Sequence, residues 1–362
     1  MENLGRIKGE VNTNFWKGKK VFITGHTGFK GSWLSLWMLD MGAIVKGYAL
    51  EPNTNPSLFE LLNLRKNMES EIGDILDLDN LTKAMFGFNP DIVIHMAAQP
   101  LVRLSYNEPI KTYETNVMGT VKVLESCKKC INLNAIVCVT TDKCYENKEW
   151  PWAYRENEPM GGHDPYSSSK GCAELVTSAY RNSYFSTSNT PNLASARAGN
   201  VIGGGDWSSD RLIPDILRAF EKKEPVIIRN PMATRPWQNV LEPLSGYLVL
   251  TEHLFEFGNQ FGEGWNFGPN NEDCRSVSWI LDKMVNKWGD GASWVLDKTN
   301  NPHEANYLKL DCSKAAMKLN WKPKWDLENT LDRIVNWHKN FLANKNIQEL
   351  CLFEISNYLS KE

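Results

Sequence analysis

A tyrosine and a lysine four residues apart are the strongest chemical signal in this sequence. They stand in the segment Tyr166-Ser167-Ser168-Ser169-Lys170. On a helix this spacing places both side chains on one face. A lysine cation beside a phenol favours the phenolate and lowers the pKa of the phenol, which is otherwise about 10. Tyr166 is therefore a candidate base near neutral pH, although an exposed helical pair would show the same spacing.

An acid and a second lysine follow a threonine upstream, in Thr141-Asp142-Lys143. In an extended strand Thr141 and Lys143 would point to one side and Asp142 to the other, so convergence of all three requires the strand to end near Thr140. They would then lie at the carboxyl edge of a sheet, where open α/β folds bind ligands. The alternative is a solvated loop pair.

The elements that must position these residues follow from alternating apolar runs and helical patterns. Strands alternating with helices predict right-handed βαβ units and an α/β fold with a Rossmann-type, doubly wound parallel sheet. From about Gly203 the composition shifts to Gly, Pro, Trp and Arg, which indicates a second, smaller and irregular α/β unit. The predicted strands are 20–24, 43–49, 91–95 and 135–140, with a helical apolar face over 32–41.

A glycine-rich turn follows the first predicted strand. Glycines at this spacing permit a tight turn, let the backbone approach a pyrophosphate and let the helix pack close to the strand. This predicts dinucleotide binding, with an ordinary glycine-bearing turn as the alternative. The candidate contacts are Gly25, Thr27, Gly28, Phe29, Lys30 and Gly31.

The carboxylate that usually binds the cofactor ribose is missing from its expected place at the end of the second strand. Ala49 stands there, and the nearest acid is Glu51. This departure leaves open whether the cofactor is NAD or NADP, although no arginine in that stretch favours the 2′-phosphate of NADP. Asp74 follows the next apolar run and could contact the adenine, or could be a helix N-cap.

Composition excludes several classes of function. A net charge of -3 and a pI near 6.1 argue against nucleic-acid or polyanionic-membrane partners, which need a broad basic face. The N-terminus lacks the apolar core of a signal peptide, and no apolar run is long enough to span a membrane, so we expect a soluble, cytoplasmic protein. We expect the eight cysteines to be free thiols, and neither Cys127-x-x-Cys130 nor the scattered histidines predicts a metal site.

The order of these motifs resembles the extended short-chain dehydrogenase/reductases, over about 21–338. Within them the chain resembles the nucleotide-sugar 4,6-dehydratase family, in particular the branch acting on CDP-glucose. The segments that narrow the resemblance to this branch are Gly25 to Trp33 and Thr141 to Asn147. The other shared segments are His95-Met96-Ala97-Ala98-Gln99, Thr115-Asn116-Val117-Met118-Gly119-Thr120, Arg197 to Gly203 and Arg235-Pro236-Trp237-Gln238.

The resemblance implies a redox-neutral dehydration of CDP-glucose to CDP-4-dehydro-6-deoxy-D-glucose, a precursor of deoxyhexoses in surface polysaccharides such as O-antigen. Bound NAD oxidises C4 while Tyr166 removes the hydroxyl proton, helped by Lys170 and Thr141. Water then leaves from C5 and C6, and the same cofactor reduces C6. The resemblance adds Ala97, Ala98 and Asn116 to the cofactor contacts, which also include Asp74, Tyr166 and Lys170.

The same resemblance makes Asp142 the acid for the departing water and places Lys143 where related enzymes carry a glutamate base. Elimination needs both groups neutral, whereas solvated side chains would form an ion pair, so only desolvation favours the reactive form. Lys143 could instead stay charged and stabilise the C5 enolate. The residues leave this choice open.

Substrate binding is expected in the second unit. The resemblance implies that Arg235 grips the diphosphate, with Asn200 and Arg211 near sugar or phosphate, although Arg211 could equally be a surface arginine. Specificity for cytosine rests on the resemblance alone. The helical patterns over 117–124 and 166–179 resemble those of a four-helix homodimer interface, but such stripes also occur in intramolecular cores.

These expectations combine into a domain assignment. We predict a Rossmann domain over 16–202 and 237–268, a nucleotide-sugar-binding domain over 203–236 and 269–345, and an N-terminal extension over 1–15. Two rival functions remain. A nucleotide-sugar 4-epimerase would not need Asp142 and Lys143, and a non-catalytic dinucleotide sensor would typically lack Tyr166 or Lys170.

Overall fold

The computed structural model describes residues 9–297 and 307–360. Residues 1–8 of the predicted extension and residues 298–306 of the predicted second domain lie outside the described residues. The strands are β1 Lys20–Thr24, β2 Ile44–Ala49, β3 Glu69–Ile72, β4 Ile92–His95, β5 Ala135–Val139, β6 Asn192–Ala198, β7 Asn200–Ile202, β8 Val226–Ile228, β9 Thr234–Asn239, β10 Gly264–Phe267, β11 Cys274–Ser276 and β12 Trp294–Leu296.

Helices connect and cover these strands. The α-helices are α1 Thr13–Trp16, α2 Phe29–Asp40, α3 Leu58–Leu61, α4 Leu64–Asn67, α5 Leu78–Phe88, α6 Val102–Asn107, α7 Pro109–Tyr113, α8 Gly119–Cys127, α9 Pro165–Ser183, α10 Leu212–Glu221, α11 Leu241–Phe257, α12 Val277–Trp288, α13 Ser313–Lys318, α14 Leu327–Leu342 and α15 Ile347–Leu359. A π-helical segment covers Glu114–Met118, and 3-10 turns cover Asp142–Cys144, Gly258–Phe261 and Asn271–Asp273.

The central sheet has seven strands in the order β10-β6-β5-β4-β1-β2-β3, and each neighbouring pair is parallel. The predicted Rossmann-type, doubly wound sheet is confirmed. The chain runs outward from β1 to β3 in one direction and from β4 to β10 in the other. The order therefore reverses between β1 and β4, and the glycine turn follows β1 at this reversal, where open α/β sheets bind ligands.

The sheet is buried on both faces, which explains the continuous apolar runs of its strands. In β1, Val21, Phe22 and Ile23 are all fully buried. One core cluster joins this sheet to α2, α11 and α15, and a second joins its other face to α5 and α8. The helices on the two faces fix the carboxyl ends of the strands, which together form one edge of the sheet.

A smaller unit contains a three-stranded sheet ordered β11-β9-β7 and the parallel pair β12-β8. Helices α10, α12 and α14 pack with these strands in a separate core cluster. Beyond the predicted domain end at 345, α15 packs on α2, with the rings of Tyr358 and Trp37 5.7 Å apart. The domain boundaries stay predictions.

Candidate active site

A cavity of about 870 Å³ lies at the carboxyl edge of the central sheet. This volume is in the range of small-molecule binding sites. The glycine turn lines one part of it, and residues of the smaller unit around α10 line another. The cavity therefore has one wall suited to a dinucleotide and another that belongs to the second unit.

The shape of the glycine turn is fixed by close backbone contacts. Gly25 has a φ of 79°, and a Cβ added there would lie 2.7 Å from the Ala97 nitrogen. A Cβ on Gly31 would lie 2.1 Å from the Gly25 oxygen. Gly28 precedes α2 and supplies no side-chain cap, so backbone N–H groups of the first turn are available to an anion. All six predicted turn contacts line the cavity: Gly25, Thr27, Gly28, Phe29, Lys30 and Gly31.

Two acidic residues, Glu51 and Asp74, line the part of the cavity that follows β2 and β3. Ala49, at the end of β2, lines it as well. The Glu51 carboxylate pairs with Arg65, Oε2 to Nη2 at 2.7 Å, a contact that the sequence did not indicate because the two residues lie in different elements. Asp74 Oδ1 accepts a hydrogen bond from the Leu76 nitrogen, while Asp77 caps α5. The N-cap alternative for Asp74 is therefore wrong.

Tyr166 and Lys170 lie in the first two turns of α9, which begins at Pro165 after the N-cap Asp164. The Asp164 carboxylate accepts a hydrogen bond from the Ser167 nitrogen at 2.9 Å. Tyr166 is 8% exposed and Lys170 7% exposed, and both line the cavity. The alternative of an exposed helical pair is wrong.

Burial sets the protonation of this pair in the protein without ligands. It raises the pKa of Tyr166 to about 12, although hydrogen bonding from the Thr141 side chain opposes the shift. It also lowers the pKa of Lys170 to about 8, and the Lys170 amine donates to the Val139 carbonyl at 3.5 Å. The predicted lowering of the Tyr166 pKa by Lys170 is wrong for this state, because desolvation of the phenolate outweighs the neighbouring charges.

The Thr141-Asp142-Lys143 segment forms a turn directly after β5, which ends at Val139 as the convergence argument requires. The Thr141 hydroxyl donates to Asp142 Oδ1 at 2.9 Å, and the Lys143 amine lies 3.7 Å from the same oxygen. Thr141 and Lys143 line the cavity. Asp142 lies behind them, fully buried, and its Oδ2 has no hydrogen-bond partner in the described part of the chain. A solvated loop pair is therefore excluded.

Asn116, predicted as a cofactor contact, lies in the π-helical segment and is 1% exposed. Its amide accepts from the Gln99 nitrogen and donates to the Gln99 carbonyl and to the Ser169 hydroxyl. Ala97 and Ala98 line the cavity, whereas Asn116 ties the loop after β4 to α9 from behind. The structure thus assigns Asn116 contacts that support the wall of the site.

The predicted substrate residues reach the cavity from the smaller unit. Asn200, Arg211 and Arg235 all line it. The Arg211 guanidinium pairs with Asp206 at 2.9 Å and is 31% exposed, so Arg211 stands at the cavity with part of its side chain in solvent. Asn200 Oδ1 is buried without a hydrogen-bond partner among the residues that the structure describes, which leaves an acceptor for a ligand. Arg229, which the sequence did not single out, lines the same wall.

Lys30 adds a cation that its place in the glycine turn did not suggest. Its amine donates to the Tyr247 hydroxyl at 3.2 Å, and Tyr247 is fully buried on α11. Burial lowers the pKa of Lys30 to about 7, with smaller contributions from the charges of Lys170 and Arg211, while Asp142 opposes them. Lys30 is therefore an amine that changes charge near neutral pH, inside the cavity wall.

Other predicted features concern thiols, metals and membranes. All eight cysteines are free thiols, as expected. Within residues 9–297 and 307–360, no group of three or more His, Cys, Asp or Glu side chains could hold a metal ion. No helix in that described part is long and apolar enough to cross a membrane.

Comparison with known proteins gives consistent similarities. Residues 22–334 match the family model described as GDP-mannose 4,6 dehydratase. The chain is 62% identical to the CDP-glucose 4,6-dehydratase of Salmonella typhimurium over 97% of this chain and 99% of that protein.

Two solved structures share the fold. One is a dTDP-glucose 4,6-dehydratase from Bacillus anthracis in complex with NAD, with a TM-score of 0.74, 21% identity, and coverage of 92% of this chain and 100% of the other. The second is a UDP-glucuronic acid 4-epimerase from Bacillus cereus with UDP-glucuronic acid and NAD, with a TM-score of 0.76, 24% identity, and coverage of 89% and 99%.

Proposed function

The chain belongs to the GDP-mannose 4,6-dehydratase family, and from this premise we propose that it is a CDP-glucose 4,6-dehydratase. It is a hydro-lyase that converts CDP-D-glucose into CDP-4-dehydro-6-deoxy-D-glucose and water. The 62% identity to the Salmonella enzyme supports CDP-glucose as the substrate. The observation that carries the proposal is that Thr141, Lys143, Tyr166 and Lys170 line one cavity, with Asp142 hydrogen-bonded to Thr141 directly behind it.

NAD is the cofactor of this proposal, and its place is the wall built by the glycine turn, Ala97, Ala98 and the Glu51–Asp74 edge. Bound NAD supplies the electron acceptor for C4 and the donor for C6. The uncapped first turn of α2 suits its diphosphate, and Lys170 and Tyr166 stand at the same cavity. Asn116 supports this wall from behind.

Tyr166 removes the C4 hydroxyl proton, and Thr141 donates a hydrogen bond to the same oxygen. Lys170 lies one helical turn from Tyr166 and carries positive charge toward the developing alkoxide. Because burial disfavours the Tyr166 phenolate in the protein without ligands, the positive charge of the oxidised cofactor is expected to lower the pKa of this phenol on binding. These residues form the redox half of the site.

Asp142 and Lys143 carry the elimination. Asp142, which lies directly behind the Thr141 and Lys143 side chains at the cavity, supplies the proton for the C6 hydroxyl as water leaves. Lys143 removes the C5 proton and returns it after reduction at C6. The alternative for Lys143 is a permanent cation that stabilises the C5 enolate, which requires a different base for the C5 proton.

The test of this function is a comparison of nucleotide hexoses. The purified protein is incubated with NAD and with CDP-, dTDP-, GDP- or UDP-glucose, and the products are weighed by mass spectrometry. We expect loss of one water from CDP-glucose and the alkali-dependent absorbance of a 4-keto-6-deoxy sugar. A 4-epimer of unchanged mass would instead make the protein an epimerase, and dehydration of a different nucleotide hexose would correct the substrate.

A homodimer is part of the proposal, supported by an exposed apolar patch on α6, α7, the π-helical segment and α9. Such contiguous patches mark interaction surfaces. We expect a dimer by light scattering and a monomer for Leu175→Asp, whose position is 60% exposed. An unchanged mass for that variant would place the interface elsewhere. The patch consists of Tyr106, Ile110, Tyr113, Met118 and Leu175.

We place the reaction in the cytoplasm, where its product feeds deoxyhexose and surface-polysaccharide synthesis, including O-antigen. Eight free thiols suit a reducing compartment. The product carries a ketone at C4, so the enzymes that consume it must act on a 4-keto sugar.

A further inference from the structure

The proposed reaction leaves two side chains with exchanged protons. Tyr166 has gained the proton of the C4 hydroxyl, and Asp142 has lost the proton that departs in water. Lys143 takes the C5 proton and gives it back, and the electrons that leave C4 return to C6. The balance is one CDP-glucose giving one 4-keto-6-deoxy product and one water. A second turnover therefore requires one proton to pass from Tyr166 to Asp142.

The structure places one hydroxyl group between these two side chains. Thr141 Oγ1 lies 2.9 Å from Asp142 Oδ1, and Thr141 and Tyr166 line the same cavity, where the threonine side chain opposes the rise in the pKa of the phenol. Asp142 has no exposed surface and does not line the cavity, so its carboxyl meets the cavity only across its neighbours. Lys143 is a second polar group near Asp142, but its amine is 3.7 Å away and ends the reaction in its starting state.

We propose that Thr141 is a proton relay that resets the site after each turnover. This inference rests on the proposed function. The Thr141 O–H bond breaks as its proton moves to Asp142 Oδ1, and the Tyr166 O–H bond breaks as its proton moves to Thr141 Oγ1. Two new O–H bonds form, and one negative charge moves from Asp142 to Tyr166. No oxidant, reductant or added base takes part.

The geometry favours this internal route over exchange with bulk water. Tyr166, Thr141 and Asp142 are 8%, 7% and 0% exposed, so each has little contact with solvent. The hydrogen bond between Thr141 and Asp142 is already formed at 2.9 Å, so a proton can reach Asp142 from this hydroxyl without passing through solvent. Thr141 thus serves the reaction twice, once as a donor to the C4 oxygen and once between turnovers.

The test compares Thr141→Val with Thr141→Ser in the NAD-loaded enzyme with excess CDP-glucose. Rapid quenching measures the product formed per active site. Valine removes the hydroxyl at nearly constant size, and serine keeps it. For valine we expect up to one product per site at an initial rate, then a phase at least about tenfold slower that accelerates with imidazole buffer, since imidazole can carry the missing proton. Serine should show neither the second slow phase nor the buffer dependence.

The inference is overturned if valine slows the first and later turnovers equally and imidazole has no effect, since Thr141 would then only contact the substrate. If Thr141→Val does not fold, Thr141→Ala provides the same comparison. The proposed function fails separately, if the wild-type enzyme forms no dehydrated product at all.

Discussion

The guanidinium of Arg197 forms a buried ion pair with the carboxylate of Glu174, Nη2 to Oε2 at 2.7 Å, with 6% and 4% of the two side chains exposed. Glu174 lies one turn beyond Lys170 on α9 and also accepts hydrogen bonds from the hydroxyls of Thr140 and Ser195. Thr140 directly precedes the turn that carries the acid–base pair. This one carboxylate therefore joins the end of β5 to the helix of the redox pair.

Glu174→Ala should lower the free energy of unfolding by about 3–5 kcal/mol, because it leaves the Arg197 charge buried without compensation. Urea unfolding followed by circular dichroism measures the change. The matched control is Glu328→Ala, which removes an exposed carboxylate paired with Lys283 at 2.8 Å and should leave the unfolding midpoint unchanged. Equal small effects of both variants would show that the buried pair does not hold the site together.

The burial of Glu252 predicts that the protein loses stability as the pH rises from 4.5 to about 8. Its carboxylate accepts hydrogen bonds from the Trp16 indole and the Asn12 nitrogen, yet burial raises its pKa to about 8. A folded-state pKa above the unfolded value of 4.5 means that the stabilisation is full below pH 4.5 and is lost as the pH rises through about 8. The free energy of unfolding should fall over this window, on the order of 2–4 kcal/mol.

The matched variant is Glu252→Gln, which keeps an acceptor for the Trp16 indole and cannot ionise. Its unfolding midpoint should change less between pH 5 and 9 than that of the wild type, as measured by urea unfolding at each pH. Burial also raises the pKa of Glu242 to about 7. The variant should therefore keep a smaller decrease of the free energy of unfolding with rising pH. Parallel curves for the two proteins would mean that Glu252 does not control this dependence.

Local patterns predicted the parts of the site that lie close together in sequence. The buried run of β1 and the glycine turn after it determine a βα unit, and the need for convergence after Thr140 correctly placed the end of β5. These features depend on backbone geometry over a few residues, which the residue types themselves express.

Contacts between distant elements could not be predicted from those patterns. Arg65 reaches Glu51, and Tyr247 on α11 reaches Lys30, only because the chain folds back on itself. The direction of the Tyr166 pKa was predicted wrongly for the same reason. It depends on how completely the phenol is buried, and a spacing of four residues contains no information about burial.

Tyr166 should titrate near pH 12 in the protein without ligands. Ultraviolet difference spectra of wild type against Tyr166→Phe measure this single phenol. NAD should lower the midpoint, because the oxidised cofactor adds positive charge that favours the phenolate. In Lys170→Met without ligands the midpoint should stay above about 10, since burial dominates. A midpoint below that value in the free wild type would restore Lys170 as the controlling group.

Lys143→Met should oxidise C4 but fail to eliminate water. In a single turnover the absorbance of the reduced cofactor should build up, and 6-deoxy product should form about 10²–10⁴-fold more slowly. The matched control is Lys318→Met on α13, which removes an amine 54% exposed and paired with Glu263 at 3.4 Å, outside the cavity lining, and should keep the wild-type rate. Product at the wild-type rate from Lys143→Met would remove Lys143 from the mechanism, whether as base or as enolate-stabilising cation.

Lys30 should make NAD affinity depend on pH. Burial lowers its pKa to about 7, so the amine is charged at pH 6 and mostly neutral at pH 8. Only the charged form attracts the anionic diphosphate, and the charged fraction falls about tenfold across this interval. The dissociation constant of NAD, measured by calorimetry, should therefore rise by up to about tenfold between pH 6 and pH 8.

Lys30→Met should bind NAD more weakly at pH 6 and lose the pH dependence. The matched control is Tyr247→Phe, which removes the hydroxyl that accepts from the Lys30 amine at 3.2 Å but keeps the charge, so its affinity should still fall as the pH rises. If the NAD affinity of Lys30→Met keeps the wild-type dependence on pH, a group other than Lys30 controls that dependence. Because both variants alter the same buried contact and only one alters the charge, the difference between them isolates the cation.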